Sequence, residues 1–231
     1  MTIFDLPRVP EPEVMDDSGE VEAYSSATAQ DYLNALDNTF VEHALRLLKG
    51  SERGRALDIG TGPGQIAIKL ARRLTRWNFV GVDRSPGMIA QAQANLASAG
   101  SELAGRVEFQ LADGNRLPFP DKSFDLVLCN SVLHHLAEPE KLFSEMARLV
   151  NRGGAILLRD LRRPSRLAFP LHVRWHGRHY SGVMYRLYRD SVRSAYTVPE
   201  LERMLDSAGL SGARVFEHHS THIGLERPLS L

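Results

Sequence analysis

The fold of this chain is decided by the stretch RALDIGTGPG, residues 55–64. In it, a short apolar run that contains Asp58 is followed by three glycines at alternate positions. In the next residues, 65–74, apolar side chains recur every three to four positions, which is the period of an amphipathic helix. Glycines at such a junction let the backbone turn sharply and approach a ligand closely. The stretch therefore predicts a strand, a ligand-binding turn and a helix.

The spacing of the glycines separates this turn from two other phosphate-binding loops. The dinucleotide fingerprint is G-x-G-x-x-G, whereas the third glycine here comes one residue early and Gln65 holds the place of the last fingerprint glycine. A P-loop would continue with G-K-[ST], and no such sequence follows. An NAD-dependent oxidoreductase is therefore the weaker interpretation of this loop.

Strands and helices alternate along most of the chain. The predicted strands are 56–59, 78–83, 106–112, 123–130 and 155–159, with helices at 65–74, 86–99 and 138–150. A further helix opens on the capping box Thr197 to Glu200 and runs to Ala208, before two last strands at 213–217 and 222–225. This order predicts an α/β fold with a Rossmann-like, mostly parallel sheet of about seven strands and helices on both faces.

The sequence also predicts how the chain is divided. Residues 1–54 are expected to form an N-terminal arm and a helix at 31–49, and residues 55–231 a ligand-binding domain. Residues 164–196 contain no clear strand and are rich in arginine, histidine and aromatic residues. We expect them to form a helical lid inserted after strand five.

Composition limits the cellular setting. With 231 residues, of which 43% are hydrophobic, the chain is long enough for one large domain with a buried core. No apolar run approaches the ~20 residues that a membrane-spanning helix needs, and the acidic, proline-rich N-terminus differs from a signal peptide. The single cysteine, Cys129, excludes an internal disulfide, and we expect a cytoplasmic location.

Polar residues follow four of the predicted strands. Asp58 and Asp83 close strands one and two, Asp113 follows strand three, and Asn130 closes strand four. In an open α/β sheet, ligands bind beyond the carboxyl ends of the strands. Asp58 can accept a hydrogen bond from a ligand ammonium, directly or through water, Asp83 from two ribose hydroxyls and Asp113 from an adenine amine. The four strand ends therefore predict a site for one adenosyl ligand.

These motifs together resemble the class I S-adenosylmethionine (SAM)-dependent methyltransferases, in particular the ubiquinone/menaquinone C-methyltransferase-like branch that acts on small molecules. The matching patterns are D-x-G-x-G-x-G at 58–64, G-V-D-x-S-x-x-M at 81–88, A-D-x-x-x-L-P-F at 112–119, F-D-x-V at 124–127, L-H-H at 133–135 and R-G-G at 152–154. The resemblance implies the class I methyltransferase sheet, with SAM as cofactor and S-adenosyl-L-homocysteine (SAH) as product.

The resemblance also implies which residues contact the cofactor. They lie on the turns at the strand ends: Asp58, Gly60, Thr61, Gly62, Asp83, Arg84, Met88, Asp113, Gly114, Asn130 and Ser131. Met88 suits either a contact with the adenine ring or a plain core position. Tyr24, from the N-terminal arm, is expected to close over the cofactor.

The candidate catalytic residues follow strands four and five. A phenol or a carbon acid needs a base to accept a methyl group, whereas a thiolate or a free amine does not. The candidates for this base are His134, His135 and Asp160. The two histidines rank first, because imidazole titrates near neutrality. No metal site is predicted, since the histidines at 218–222 have no carboxylate at a ligand spacing.

The partner implied is a small-molecule methyl acceptor, which the sequence does not name. The aromatic residues and arginines of 164–196 suit a planar anionic acceptor, and they equally suit a homodimer interface. Residues 152–193 contain ten arginines and two acids, as an RNA methyltransferase would need, but the net charge of zero argues against a nucleic-acid partner. A protein that binds SAM without methylating also stays open, because the cofactor motifs bind and do not react.

Overall fold

Seven β-strands form the centre of the molecule. The computed structural model describes residues 5–11 and 27–230. In this part of the chain the strands are β1 (Gly54–Ile59), β2 (Trp77–Asp83), β3 (Val107–Leu111), β4 (Phe124–Asn130), β5 (Val150–Leu161), β6 (Arg214–His218) and β7 (His222–Arg227). They lie in one sheet in the order β3-β2-β1-β4-β5-β7-β6, and only β7 runs against the others. The predicted, mostly parallel α/β sheet is confirmed.

Helices cover both faces of this sheet. They are α1 (Ala27–Leu47), α2 (Gln65–Arg73), α3 (Pro86–Ala99), α4 (Pro139–Leu149), α5 (Phe169–His176), α6 (Gly182–Ser194) and α7 (Val198–Ser207). The first three pack on one face, where Phe40, Leu70 and Trp77 are buried. On the other face α4 and α7 pack around Phe143 and Leu201. Because both faces are covered, the central strands are almost continuous apolar runs.

Two helix starts have the side-chain caps that their sequences predict. The hydroxyl of Ser85 accepts a hydrogen bond from the Met88 backbone N–H at 3.3 Å, and Pro86 occupies the first turn of α3. At the start of α7, Thr197 and Glu200 form a reciprocal capping box. Both caps satisfy backbone N–H groups that the first turn of a helix leaves without partners.

Two elements differ from the predicted bounds by four or more residues at one end. α1 begins four residues before the predicted 31–49 and ends two residues earlier. β5 extends beyond the predicted 155–159 in both directions. At its start, Val150 pairs with Phe124 before the register shifts and Ala155 pairs with Leu126, and at its end the strand continues to Leu161. Glycines normally weaken a strand, so Gly153, with φ of 75°, concealed this bulged extension from the sequence pattern.

Residues 164–196 form helices, as predicted. Between α5 and α6 lies a 3₁₀ turn, Gly177–His179, which packs against α1. α6 packs against a second 3₁₀ turn, Leu133–His135, which follows β4. The segment therefore adjoins the carboxyl edge of the sheet. In the part of the chain that the structure describes, no helix is both long enough and apolar enough to cross a membrane.

Residues 5–11 tie this insertion to the turn after β4. The guanidinium of Arg8 donates to the backbone carbonyls of Ser194, His134 and Leu136 at 2.6, 3.0 and 3.0 Å. It also lies over the ring of Tyr196, 4.3 Å from the centroid. One arginine thus joins the N-terminal segment, the end of α6 and the histidine-containing turn.

A buried arginine joins α1 to the sheet. Arg159, in β5, donates to Thr39 Oγ1 at 2.7 Å and to the Leu36 carbonyl at 3.0 Å. Its guanidinium lies 5.0 Å from the centroid of the Phe40 ring. The division of the chain at residue 54 stays a prediction, and these bonds cross it.

Candidate functional site

A cavity of about 650 Å³ opens at the carboxyl ends of β1, β2 and β4, which is within the usual range for small-molecule sites. The strand order reverses here, since β1 lies between β2 and β4. Open α/β sheets bind ligands at this position. Of the predicted site residues, eleven line the cavity: Gly60, Thr61, Gly62, Asp83, Arg84, Met88, Asp113, Gly114, Asn130, Ser131 and His135.

The glycine turn brings the backbone to the cavity wall. Gly60 has a φ of 70°, and a Cβ there would lie 2.2 Å from the Val132 side chain. Gly62 has a φ of 54° and faces open space, because no heavy atom lies within 4 Å of its Cβ position. The first glycine is therefore required by packing and by backbone conformation, and the second by conformation alone.

Asp83 is held in place by the turns on either side of it. Its Oδ2 accepts from the Gly62 N–H at 2.8 Å, and its Oδ1 accepts from the Ser85 N–H at 2.9 Å. Each carboxylate oxygen keeps a further lone pair. The fixed carboxylate can therefore accept two hydroxyls of a ribose that enters the cavity.

Asp58 lies beneath the glycine turn and does not line the cavity. Its side chain is buried, and Oδ2 accepts from Thr61 Oγ1 at 2.7 Å. Burial raises the pKa of Asp58 to about 7, and the negative charges of Asp37 and Asp83 add to the rise. The sequence predicts that Asp58 meets a ligand ammonium directly or through water, and a direct contact would require the Thr61 hydroxyl to give way. The role of Asp58 toward a ligand stays a prediction.

The other two predicted strand ends also border the cavity. Asp113 is exposed, and its Oδ1 accepts from the Asn115 N–H at 2.9 Å. Asn130 Oδ1 accepts from Arg159 Nε at 3.1 Å, which fixes the orientation of the amide. Ser131 has a φ of 59°, a left-handed conformation that costs energy for a residue with a side chain. Such strain is characteristic of binding turns.

The two adjacent histidines have different surroundings. His135 lines the cavity, and its side chain is 20% exposed. His134 is buried and points away from it, with Nδ1 2.6 Å from Asp160 Oδ1. Neither His134 nor Asp160 lines the cavity. Of the three predicted bases, only His135 is therefore placed to reach a bound molecule directly.

The surroundings of His134 and Asp160 shift both pKa values toward the charged forms. Burial lowers the pKa of His134, but the charge and hydrogen bond of Asp160, together with Glu11, outweigh it and raise the pKa above its usual value. Burial raises the pKa of Asp160, and the charge and hydrogen bond of His134 outweigh it in turn, so that this pKa lies below its usual value. Both shifts stabilise an imidazolium–carboxylate pair behind the wall that His135 forms.

Sequence reasoning missed Glu11, from the N-terminal segment. Its Oε2 lies 3.4 Å from His135 Nδ1 and 3.9 Å from His134 Nε2, and its carboxylate accepts from Ser191 Oγ. Burial raises its pKa, which the charge of His134 partly opposes. One donor atom from each of Glu11, His134 and His135 lies within 4.8 Å of the others. Because Asp160 and Ser191 already bind this group, we interpret it as a hydrogen-bonded acid–imidazole cluster.

α1 contributes two polar residues that the sequence did not assign to the site. Asn34 and Asp37, three positions apart on the helix, line the cavity. Lys69 Nζ lies 2.8 Å from Asn34 Oδ1 and 3.5 Å from Asp37 Oδ2. Their spacing on one helical face was a usable signal, but only packing places that face over the glycine turn. Tyr24 lies outside the described residues, so its role stays a prediction.

Residues 164–196 contribute nothing to the lining of this cavity. They stand beside it, against the turn that carries His135. A direct role of this segment in acceptor binding therefore stays a prediction.

Comparison with known proteins gives one family and several relatives. The family described as "Methyltransferase domain" matches residues 57–158. The demethylmenaquinone methyltransferase of Thermus thermophilus is 34% identical over 168 residues, which cover 68% of this chain and 74% of that protein. The ubiquinone/menaquinone biosynthesis C-methyltransferase of Geobacter sulfurreducens is 34% identical over 144 residues, 60% of this chain and 56% of that protein. The chain thus spans little more than half the length of this second relative.

A solved structure has the same fold. The SAM-dependent methyltransferase from Aquifex aeolicus superposes with a TM-score of 0.66 at 20% identity. The superposition covers 93% of this chain and 99% of that one. At this identity the likeness establishes the fold alone, and it confirms the predicted class I sheet.

Proposed function

We propose that this chain, which belongs to the SAM-dependent methyltransferases of the ubiquinone/menaquinone C-methyltransferase branch, methylates a small aromatic acceptor. One observation carries the proposal. A single cavity holds the groups that suit an adenosyl ligand, at Gly62, Asp83 and Asp113, and also a histidine, His135. Cofactor recognition and a proton acceptor are thereby brought to the same enclosed space.

The residues that would hold SAM have complementary chemistry. The Asp83 carboxylate, held by the Gly62 N–H, is the proposed acceptor for two ribose hydroxyls, and Asp113 is the proposed acceptor for the adenine amine. SAM carries positive charge on its sulfonium and its ammonium. Asp37 and Asp83 line the cavity, and Asp58 lies beneath the glycine turn, near enough for their charges to act on it. When bound, SAM supplies a methyl group that is already electrophilic, so the protein need only orient the acceptor and exclude water.

His135 is the proposed base. It lies in the cavity wall beside Leu136, and Glu11 is 3.4 Å from its Nδ1. An acceptor that gains a methyl group at an aromatic carbon or a hydroxyl must release a proton, and a neutral imidazole can take it. The Glu11 carboxylate faces this ring, and His134, held by Asp160, lies against it with the ring centroids 4.0 Å apart. They act as positioning residues behind it.

A quinol-type acceptor suits the lining of the cavity and agrees with the named activities of the relatives. Val132, Leu136 and Leu142 make the wall next to His135 apolar, and the two named relatives are quinone-pathway methyltransferases. A hydroxylated aromatic ring would place apolar carbon against this wall and a hydroxyl toward His135.

Calorimetric titration tests the cofactor first. SAM and SAH should bind with micromolar affinity and NADH should not. Replacing Asp83 with alanine should weaken the two adenosyl ligands by about 10–100-fold, because charged hydrogen bonds are lost. Asp206→Ala, at an exposed position of α7, should leave binding unchanged. Binding of NADH alone would contradict the proposal.

Transfer of labelled methyl from SAM tests the acceptor. We expect label in hydroxylated aromatic acceptors such as a short-chain naphthoquinol. Label in tRNA instead would identify a nucleic-acid methyltransferase. Tight SAM binding without transfer to quinols, amines, thiols or RNA would identify a SAM-binding protein that does not methylate.

A further inference from the structure

The outer face of α5 and of the turn before it exposes a stripe of large apolar side chains. Leu167, Leu171 and Trp175 follow one another at four-residue spacing and are 73%, 69% and 62% exposed. In the described part of the chain, six large apolar side chains are exposed, and four of them lie between 167 and 183. Exposed apolar side chains that cluster in this way are typical of an interaction surface, whereas single scattered ones are normal on any protein.

The stripe is not the face by which α5 packs on the protein. Val173, two positions from both Leu171 and Trp175, is buried, so it lies on the opposite side of the helix. The inner face of α5 therefore packs on the protein, and its outer apolar face is exposed to solvent.

A rim of positive charge surrounds this stripe. Residues 164–196 contain six arginines and one acid, Asp190. Asp190 accepts from its neighbour Arg189 at 2.9 Å. Arg166, Arg174 and Arg178 are exposed on or next to α5. The Arg178 guanidinium lies 4.9 Å from the centroid of the Trp175 ring, which holds the indole and the charge together.

We infer that α5 and its arginines dock this protein on the surface of an anionic lipid membrane. Leucine and tryptophan on one face with arginines at its edges are the composition of helices that lie in the headgroup region. The eight residues of α5 span only about 12 Å along the helix, so the segment lies in the interface and does not cross it.

The charge favours lipid over a second copy of the chain as the occupant. A symmetric dimer through this face would bring the exposed arginines of both copies together. Phosphate headgroups would neutralise those arginines, while the acyl region receives Leu171 and Trp175.

The position of this surface relates the membrane contact to catalysis, an argument that rests on the proposed function. α6 packs on the turn that carries His135, and the 3₁₀ turn after α5 packs on α1, which carries Asn34 and Asp37 of the cavity wall. The membrane would therefore lie beside the cavity, where an acceptor dissolved in lipid can reach it.

Tryptophan fluorescence of the full chain tests the contact directly. The chain has two tryptophans, and Trp77 is fully buried, so a change on vesicle addition reports Trp175. We expect a blue shift with phosphatidylcholine vesicles that contain 30% phosphatidylglycerol, cosedimentation with them, and loss of both in high salt. Pure phosphatidylcholine should bind at least about tenfold more weakly.

Two variants separate the apolar and the charged contributions. Leu167→Ser/Leu171→Ser keeps the tryptophan probe and should lower the partition coefficient by about tenfold on anionic vesicles. Arg166→Gln/Arg174→Gln should lower it by a similar factor. The matched controls are Leu111→Ser, an exposed leucine at the end of β3, and Arg152→Gln, an exposed arginine at the opposite edge of the sheet. Both controls should bind as the wild type does.

Three results would overturn the inference. The first is a wild type that shows neither a blue shift nor cosedimentation with anionic vesicles. The second is a loss of vesicle binding in the control variants equal to that in the test variants. The third is a dimer in light scattering that the Leu167→Ser/Leu171→Ser variant converts to a monomer. Salt-sensitive RNA binding lost in the arginine variant, without vesicle binding, would assign the rim to nucleic acid instead. SAH titration of every variant keeps this test separate from the proposed function, since SAH affinity should not change.

Discussion

At the scale of single residues, the cavity concentrates negative charge where a cationic ligand would sit. Asp58 is buried, and its hydrogen bond from Thr61 only partly offsets the effect of burial on its pKa. In the ligand-free protein the raised pKa means that stability falls as pH rises from the unfolded-state pKa toward about 7. A bound cation would stabilise the ionised carboxylate of Asp58 and so lower its pKa.

The pH dependence of SAH binding follows from this residue. With a pKa of about 7 for Asp58 in the free protein, ligand affinity should be about tenfold weaker at pH 6 than at pH 8, because the ammonium of SAH favours ionised Asp58. Calorimetry at the two pH values measures this. Asp58→Asn should bind more weakly at pH 8 and show little change between the two. A wild-type affinity that is equal at pH 6 and pH 8 would contradict the linkage.

The two histidines should respond differently to substitution. His135→Asn should lower the rate of methyl transfer by about 10²–10⁴-fold while leaving SAH affinity and thermal stability near the wild-type values. His134→Asn should lower the free energy of unfolding by about 3–5 kcal/mol, because it leaves the buried Asp160 carboxylate without its charged partner.

Single-turnover rates and thermal melts check both histidine variants. His219→Asn, at an exposed turn between β6 and β7, is the matched control and should alter neither quantity. If His135→Asn kept the wild-type rate with the true acceptor, orientation alone would drive the transfer.

At the scale of elements, the bonds between α1 and the sheet decide whether the cavity is complete. Asn34 and Asp37 line the cavity, and Arg159 binds Leu36 and Thr39 on the same stretch of this helix. Burial lowers the pKa of Arg159 to about 10, which still leaves it charged at neutral pH. Periodicity in the sequence predicted that α1 exists, but not which distant side chain holds it.

Replacing Arg159 with methionine should loosen α1. The change keeps apolar volume against Phe40 but removes the bonds to Thr39 and Leu36, and we expect a loss of about 3 kcal/mol in the free energy of unfolding, together with weaker SAH binding. Arg73→Met is the matched control. Arg73, at the end of α2, pairs with Glu42 of α1 at 2.8 Å, but both side chains are more than half exposed, so the cost should be under ~1 kcal/mol. Equal effects of the two variants would show that Arg159 does not hold the helix.

At the scale of the whole molecule, both predicted parts of the chain build one site. The cavity takes its walls from α1, before residue 54, and from the strand ends after it. The C-terminal segment closes the same unit, because the Leu229 N–H donates to the Leu47 carbonyl at 2.9 Å. A ligand in the cavity should therefore stabilise the described chain as one body.

Thermal unfolding tests this unity. We expect a single transition, and SAH at a hundredfold excess over its Kd should add about 2.7 kcal/mol, which corresponds to a rise in Tm of about 5–10 °C for a chain of this size. Asp83→Ala at the same SAH concentration should show a much smaller rise. Two transitions, of which only one responds to SAH, would instead support independent parts divided near residue 54.

The sequence by itself determined the order of strands and helices, the glycine turn and the polar strand ends, because each of these is a local pattern. Only the tertiary structure decided that Asp58 lies beneath the wall, that His134 turns to Asp160 while His135 faces the cavity, and that Glu11 and Asp37 join them. It also decided that Leu171 and Trp175 face solvent. The physical reason is burial: which side of an element is enclosed depends on segments far away in the chain, and no local periodicity contains that information.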